Sequence, residues 1–196
     1  MYRLFVAIDL PEDVKKNLSS LCYGLPGAKW VDMEQVHLTL RFIGEVDGGI
    51  FRDIRAVLED IEAEGFNLQI KGLGCFPPRK DPRVLWAGIE SSGEMLGLKK
   101  KIDSRLMRVG IEPEKRKFSP HITLARFRQK PSLQRVADFL SGNGLFSLPL
   151  FPVTHFHLYS SVLTPKGALH QIETSYPLLR KDVYREPLEK ENSPYS

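Results

Sequence analysis

The sequence predicts an α+β fold of two pseudo-symmetric lobes, each a small, mostly antiparallel sheet with helices outside and a cleft between them. Three observations predict it. Apolar residues recur at alternating strand and helix spacings along the chain. The same series of elements runs twice, and a short His-x-Thr-x motif falls on the corresponding strand of each run.

In order, residues 4–9 (LFVAID) form an apolar run and read as a buried strand. Pro11 opens a helix in which Val14, Leu18 and Leu21 share a face. His37–Ile43 is a strand closed by Gly44, followed by a helix with Ile50, Ile54, Val57 and Ile61 on one stripe. A strand near Phe66–Leu73 ends the first unit. The second unit repeats it with a strand at Val84–Ile89 and a helix through Met95, Leu98, Ile102, Leu106 and Val109. A strand at His121–Phe127, a helix over 132–141 and a strand near Val153–Ser160 complete it. Leu4 precedes His37 by 33 residues and Val84 precedes His121 by 37, the agreement expected of a duplicated β-α-β-α-β unit. The expected division is one bilobal domain over 1–179, with halves of about 1–74 and 84–179. The Pro-rich stretch 75–83 joins them, because its prolines cannot serve a central strand. Residues 180–196 are polar and aperiodic and read as a loosely held tail.

Composition narrows the class. With 196 residues, 42% hydrophobic and 27% charged, the chain can bury one good core. No run approaches the roughly 18 apolar residues of a membrane span. An acidic residue at position 9 and the lack of a small-residue cleavage site speak against a secretory signal, so a cytoplasmic protein with free thiols at Cys22 and Cys75 is expected. The net charge of +4 is unevenly spread: residues 95–130 carry eleven Lys or Arg against three acids, +8, leaving −4 elsewhere. Such a segment is either a solvated lysine-rich face or a surface for a polyanion.

The motifs carry the chemistry. His37-Leu38-Thr39-Leu40 and His121-Ile122-Thr123-Leu124 each put His and Thr on one strand face and two apolar residues on the other. Five His and five Thr give a chance expectation of only about 0.1 His-x-Thr. If the halves face each other, one imidazole can take a proton from an attacking water while the other protonates a departing ribose oxygen. The Thr hydroxyls would donate to non-bridging phosphate oxygens. A pair of buried structural histidines is the plain alternative, less fitting for two copies in duplicated contexts. Zinc is a second alternative, but no Cys, Asp or Glu stands at matching positions.

The stretches RLFVAIDLP (3–11), KWVDMEQVHLTLRFIGEV (29–46), CFPPRKDPRVLWAGI (75–89), FSPHITLARFR (118–128) and HLYSSVLTPKGALHQIETSYPL (157–178) resemble, in order, the RNA 2′,3′-cyclic phosphodiesterases. These are also called 2′-5′ RNA ligase-like proteins and belong to the two-histidine (2H) phosphoesterase superfamily. The resemblance implies His37 as proton donor and His121 as proton acceptor. It implies hydrolysis of cyclic phosphate ends to 2′-phosphates, with 2′-5′ RNA ligation or non-catalytic capture of RNA ends as alternatives. It also implies that Arg126, five residues after the second histidine, holds phosphate through its guanidinium. Strand parity disagrees, setting Arg126 on the face opposite His121 unless a bulge intervenes. Arg41 has the parity of His37 and Thr39 and is a further phosphate-binding candidate.

The expected partners are RNA with 2′,3′-cyclic phosphate ends or cyclic nucleotides, engaged by a monomer without membrane association, and no metal or organic cofactor is expected. His155 and His157 alternate on one strand but lack a Thr two places on, so they read as structural. His170 is a surface or base-contacting residue. Trp30, Trp86 and Phe118 could stack a base, though large aromatics more often belong to cores.

Overall fold

The computed structural model describes residues 1–78, 81–164 and 167–180; the expected tail, apart from Arg180, lies outside them. Ten strands and four helices follow in order: β1 Tyr2–Asp9, α1 Glu12–Ser19, β2 Ala28–Trp30, β3 His37–Val46, α2 Gly48–Glu59, β4 Phe66–Leu68 and β5 Ile70–Phe76. Then come β6 Val84–Ile89, α3 Gly93–Arg108, β7 His121–Phe127, α4 Leu133–Gly142, β8 Phe151–Val153, β9 His155–Thr164 and β10 Gly167–Pro177. Side chains cap the starts of α2, α3 and α4, with Asp47 accepting from the amides of Gly49 and Ile50, Ser92 from that of Met95 and Ser132 from that of Arg135.

Eight strands form one antiparallel sheet in the order β10-β9-β1-β3-β7-β6-β5, with β2 alongside β7. All four helices pack on one face. Val14 and Leu18 of α1, Ile54 and Leu58 of α2, Met95, Leu98 and Ile102 of α3 and Val136 of α4 meet Leu4, Val6, Ile8, Leu38, Leu40, Leu85, Ile122 and Leu124 there. The other face carries a separate small cluster of Phe5, Ala7 and Tyr159.

The repeats are interleaved in space. β9, the last strand of the second repeat's unit, pairs with β1; β5, its counterpart in the first, pairs with β6. Each sheet half therefore mixes strands from both halves of the sequence. The short strands β4 and β8 pair with each other where the two repeats cross, just before β5 and β9 enter the opposite sheet halves. The two sheet halves meet at a single residue pair, Leu38 with Ile122, and diverge from it. Among the described residues no helix is long and apolar enough to cross a membrane.

β3 runs on past Gly44 to Val46, because Gly44 adopts φ +98°, which glycine tolerates. The edge strands β2 and β10 were absent from the sequence reading. β10 is mostly exposed and lacks an apolar alternation to announce it.

Candidate active site

The Leu38–Ile122 contact organises the site. Both side chains are fully buried on the helix side, so His37, Thr39, His121 and Thr123 all rise from the open face. Continuing that antiparallel register sets His37 across from Thr123 and Thr39 across from His121. The two histidines occupy one diagonal of the square and the two threonines the other. Because the strands part on either side of Leu38–Ile122, the two histidines stand on opposite sides of the opening, no closer than the roughly 7–8 Å of diagonal neighbours in a regular antiparallel pair.

Both imidazoles are anchored alike. A short 3₁₀ turn, Met33–Gln35, precedes β3 and aims the Gln35 carbonyl at His37 Nδ1, 2.9 Å away. The Ser119 carbonyl lies 2.7 Å from His121 Nδ1. A carbonyl only accepts, so each Nδ1 carries hydrogen and each Nε2 is left for chemistry: an acceptor when the ring is neutral, a donor when it is charged.

The surroundings of the two rings differ. His37 is walled by Phe5 at 4.8 Å, Tyr159 at 5.7 Å and, edge-on, His170 at 5.1 Å. This burial is the main reason the His37 pKa falls from 6.5 to about 4; the charges of His170 and Arg126 push it down further, while the Gln35 carbonyl and Asp9 oppose the fall. Burial likewise raises the Tyr159 phenol and lowers His170. His121 has Phe76 edge-on at 5.0 Å and Trp86 at 6.4 Å. Gly74 gives the Trp86 indole its seat, since a Cβ there would lie 2.2 Å from the ring.

A bulge in β7 resolves the parity of Arg126. Trp86 pairs with Thr123 but Leu85 with Ala125, so Leu124 and Ala125 both turn into the core and Arg126 turns out on the histidine face. Its charge reaches both His37 and His170. The matching bulge in β3, between the Ala7–Thr39 and Val6–Arg41 pairs, has the opposite result for Arg41. Leu40 and Arg41 both turn inward, and Arg41 is only 5% exposed. Its Nη2 donates to the Glu112 carbonyl, and it lies near Asp103 at 3.7 Å and Glu114 at 3.9 Å. Arg41 therefore does not line the cleft: the bulge flips the parity on which that expectation rested. The residue facing the cleft at the position equivalent to Arg126 is Phe42, stacked on Phe5 at 5.8 Å.

Among the other residues singled out from sequence, His155 and His157 stack on each other at 6.2 Å and bond to Thr154 and Ser175. Trp30 meets Phe139 of α4 at 6.2 Å, and Phe118 lies beneath Lys99. Sequence reasoning missed Gln35, Phe5 and Tyr159 as neighbours of His37, and it undervalued His170. The apolar alternation of 4–9 marked Phe5 as buried without telling which face it served. Among the described residues no group of three or more His, Cys, Asp or Glu is arranged to hold a metal ion.

Two repeats that each deliver one His-x-Thr pair to a shared cleft define a two-histidine phosphoesterase, and the comparisons agree. The family model described as LigT like phosphoesterase matches twice, over residues 8–86 and 89–170, and the chain belongs to that family of enzymes. An RNA 2′,3′-cyclic phosphodiesterase of Archaeoglobus fulgidus is 31% identical over 172 residues, 86% of this chain and 96% of that protein. One of Thermotoga maritima is 34% identical over 180 residues, 87% and 92% of the two chains. Among solved structures, a Thermus thermophilus protein superposes with a TM-score of 0.76 at 28% identity, covering 89% of this chain and 97% of its own. Escherichia coli LigT in complex with 3′-AMP gives a TM-score of 0.71 at 25% identity, covering 90% and 98%.

Proposed function

We propose that this chain hydrolyses 2′,3′-cyclic phosphate ends of RNA to 2′-phosphomonoesters by metal-independent acid–base catalysis at His37 and His121. The observation that carries the proposal is the pair of His-x-Thr motifs meeting across Leu38–Ile122, each histidine held through Nδ1 by the carbonyl two residues before it. With Nδ1 occupied, each ring meets the phosphate through Nε2.

In the forward reaction His121 Nε2 takes a proton from water as its oxygen bonds to phosphorus. The bond from phosphorus to O3′ breaks, and His37 Nε2–H gives its proton to that oxygen. One proton is gained and one lost, so the pair ends with its charges exchanged and resets through solvent. Thr39, Thr123 and Arg126 hold the non-bridging oxygens, where charge builds in the transition state. Free His37 is neutral at pH 7, since its pKa is about 4. Its proton is therefore recruited by the anionic substrate.

The basic residues support RNA as the polymer. Exposed Lys115, Arg116 and Lys117 lead into β7, and exposed Arg128 and Lys130 follow it. Both ends of the strand that carries His121 are thus flanked by exposed cations, which would attract a phosphate backbone. The named relatives act in the same direction, as RNA 2′,3′-cyclic phosphodiesterases.

The test is incubation of the protein with a 2′,3′-cyclic nucleotide in excess chelator, with product identified by chromatography. The expected result is a 2′-nucleotide at a rate the chelator leaves unchanged. Tight binding without turnover would favour capture of RNA ends. Efficient joining of cyclic-phosphate and 5′-hydroxyl RNA ends, with little hydrolysis, would favour ligation. Loss of activity on chelation would overturn the metal-free reading.

A further inference from the structure

The two histidines are anchored alike through Nδ1, but the anchor of His37 does a second job. Gln35 holds His37 with its main chain and, with its side chain, holds something else: Oε1 accepts the main-chain N–H of His170 at 2.6 Å. His170 belongs to β10, which pairs with β9 at the edge of the sheet. Its ring nevertheless stands edge-on to His37 at 5.1 Å and to Phe5 at 5.0 Å. The β9–β10 hairpin thus arches over the open face, and the main chain at Gly167 comes near the Lys29 amine, on β2 in the other half of the sheet. The buried Nδ1 of His170 makes no hydrogen bond, so the ring is held by its backbone latch and its edge contacts.

We propose that Gln35 and His170 are positioning residues, a latch that ties the β9–β10 arm to the base of His37 and keeps that ring upright and dehydrated. Because one residue grips both the ring and the arm, displacing the arm lets water reach His37. His121 has no such partner among the described residues: its anchor, Ser119, contributes a carbonyl. The latch therefore makes the two catalytic rings unequal in a site whose scaffold is symmetric. The charged groups acting on His37 are His170 on β10, Asp9 on β1 and Arg126 on β7, with Arg126 and Arg3 acting on His170, while the Tyr159 phenol, raised by burial, packs on the ring uncharged. Releasing the arm changes hydration and the His170 contribution while leaving the others in place.

The role in catalysis rests on the hydrolytic reading above; the latch itself is measured without it. Gln35→Asn shortens the side chain beyond reach of His170, whereas Gln35→Glu keeps an oxygen acceptor at full length. Hydrogen exchange at the His170 amide should quicken at least about tenfold in Gln35→Asn and return close to wild type in Gln35→Glu. NMR titration of the His37 ring should show its pKa rising toward 6.5 in Gln35→Asn and in His170→Ala, which takes away the ring that walls His37. On a 2′,3′-cyclic nucleotide, the low-pH limb of kcat/KM should move in the same two variants. Unchanged exchange at His170 in Gln35→Asn, or an unmoved His37 titration in both variants, would overturn the latch. Intact coupling in a protein without turnover would sink the catalytic reading and leave the latch standing.

Discussion

Protonating His37 in the free protein is costly, and the size of the cost makes a prediction. Its pKa of about 4 lies some 2.5 units below the ordinary 6.5, or about 3 kcal/mol against the charged ring. A unit negative charge at about 4 Å and an effective dielectric near 20 returns about 4 kcal/mol. The bound anion therefore offsets the penalty, and His37 takes up a proton as the anion arrives. Sulfate is the cleanest probe, being tetrahedral and untitrated near neutrality. In free protein the His37 resonances, identified by their loss in His37→Ala, should titrate near pH 4; in saturating sulfate the midpoint should rise by about two units. Sulfate affinity should accordingly increase as the pH falls, up to about tenfold per unit between the bound and free midpoints, and level off below about 4. The folded state binds fewer protons than the unfolded one across the same window. Stability without anion should thus decline as pH drops from about 6.5 toward 4, by up to about 3 kcal/mol from this group. A free-protein midpoint at or above 6.5, or one indifferent to sulfate, would refute the reasoning.

Other perturbations separate roles. Arg126→Ala removes a charge-assisted phosphate contact of about 1.5–3 kcal/mol, so kcat/KM in steady-state assays should fall about 10- to 150-fold, with Lys restoring part. Arg41→Met should leave kcat/KM within about threefold while lowering stability in urea by about 1–3 kcal/mol, because Arg41 serves the Asp103–Glu112–Glu114 cluster. Gly74→Ala forces the Trp86 ring from its seat and should cost about 1–3 kcal/mol with a red-shifted tryptophan emission. Leu38→Ala opens a cavity beneath the pair that joins the two sheet halves, and denaturation should show a loss of about 2–5 kcal/mol.

Much of this arrangement was legible in the sequence. Alternation assigned Leu38, Leu40, Ile122 and Leu124 to the core and set the two His-Thr pairs on the opposite face, because strand parity holds strictly up to the first bulge. Beyond it the count fails. A bulge adds one residue that no periodicity marks, which is why Arg126 faces the cleft and Arg41 does not. The adjacent apolar pair Leu124-Ala125 hinted at the bulge in β7, whereas the charge of Arg41 concealed the one in β3. The exchange of β5 and β9 between lobes comes just after the pairing of two three-residue strands, too short to carry a pattern. His170 was hard to value because its strand is a polar edge, and only the curl of the hairpin brings it to His37.

The proposed reaction needs two imidazoles acting as a pair at one phosphorus, and the most direct measurement is turnover of a 2′,3′-cyclic nucleotide by His37→Ala, His121→Ala and the double variant. Each single change should cost at least about 100-fold in kcat, and the double change should cost far less than the product of the two, since members of one catalytic unit are not additive. Near-normal turnover in either single variant, or losses that simply multiply, would contradict the pairing.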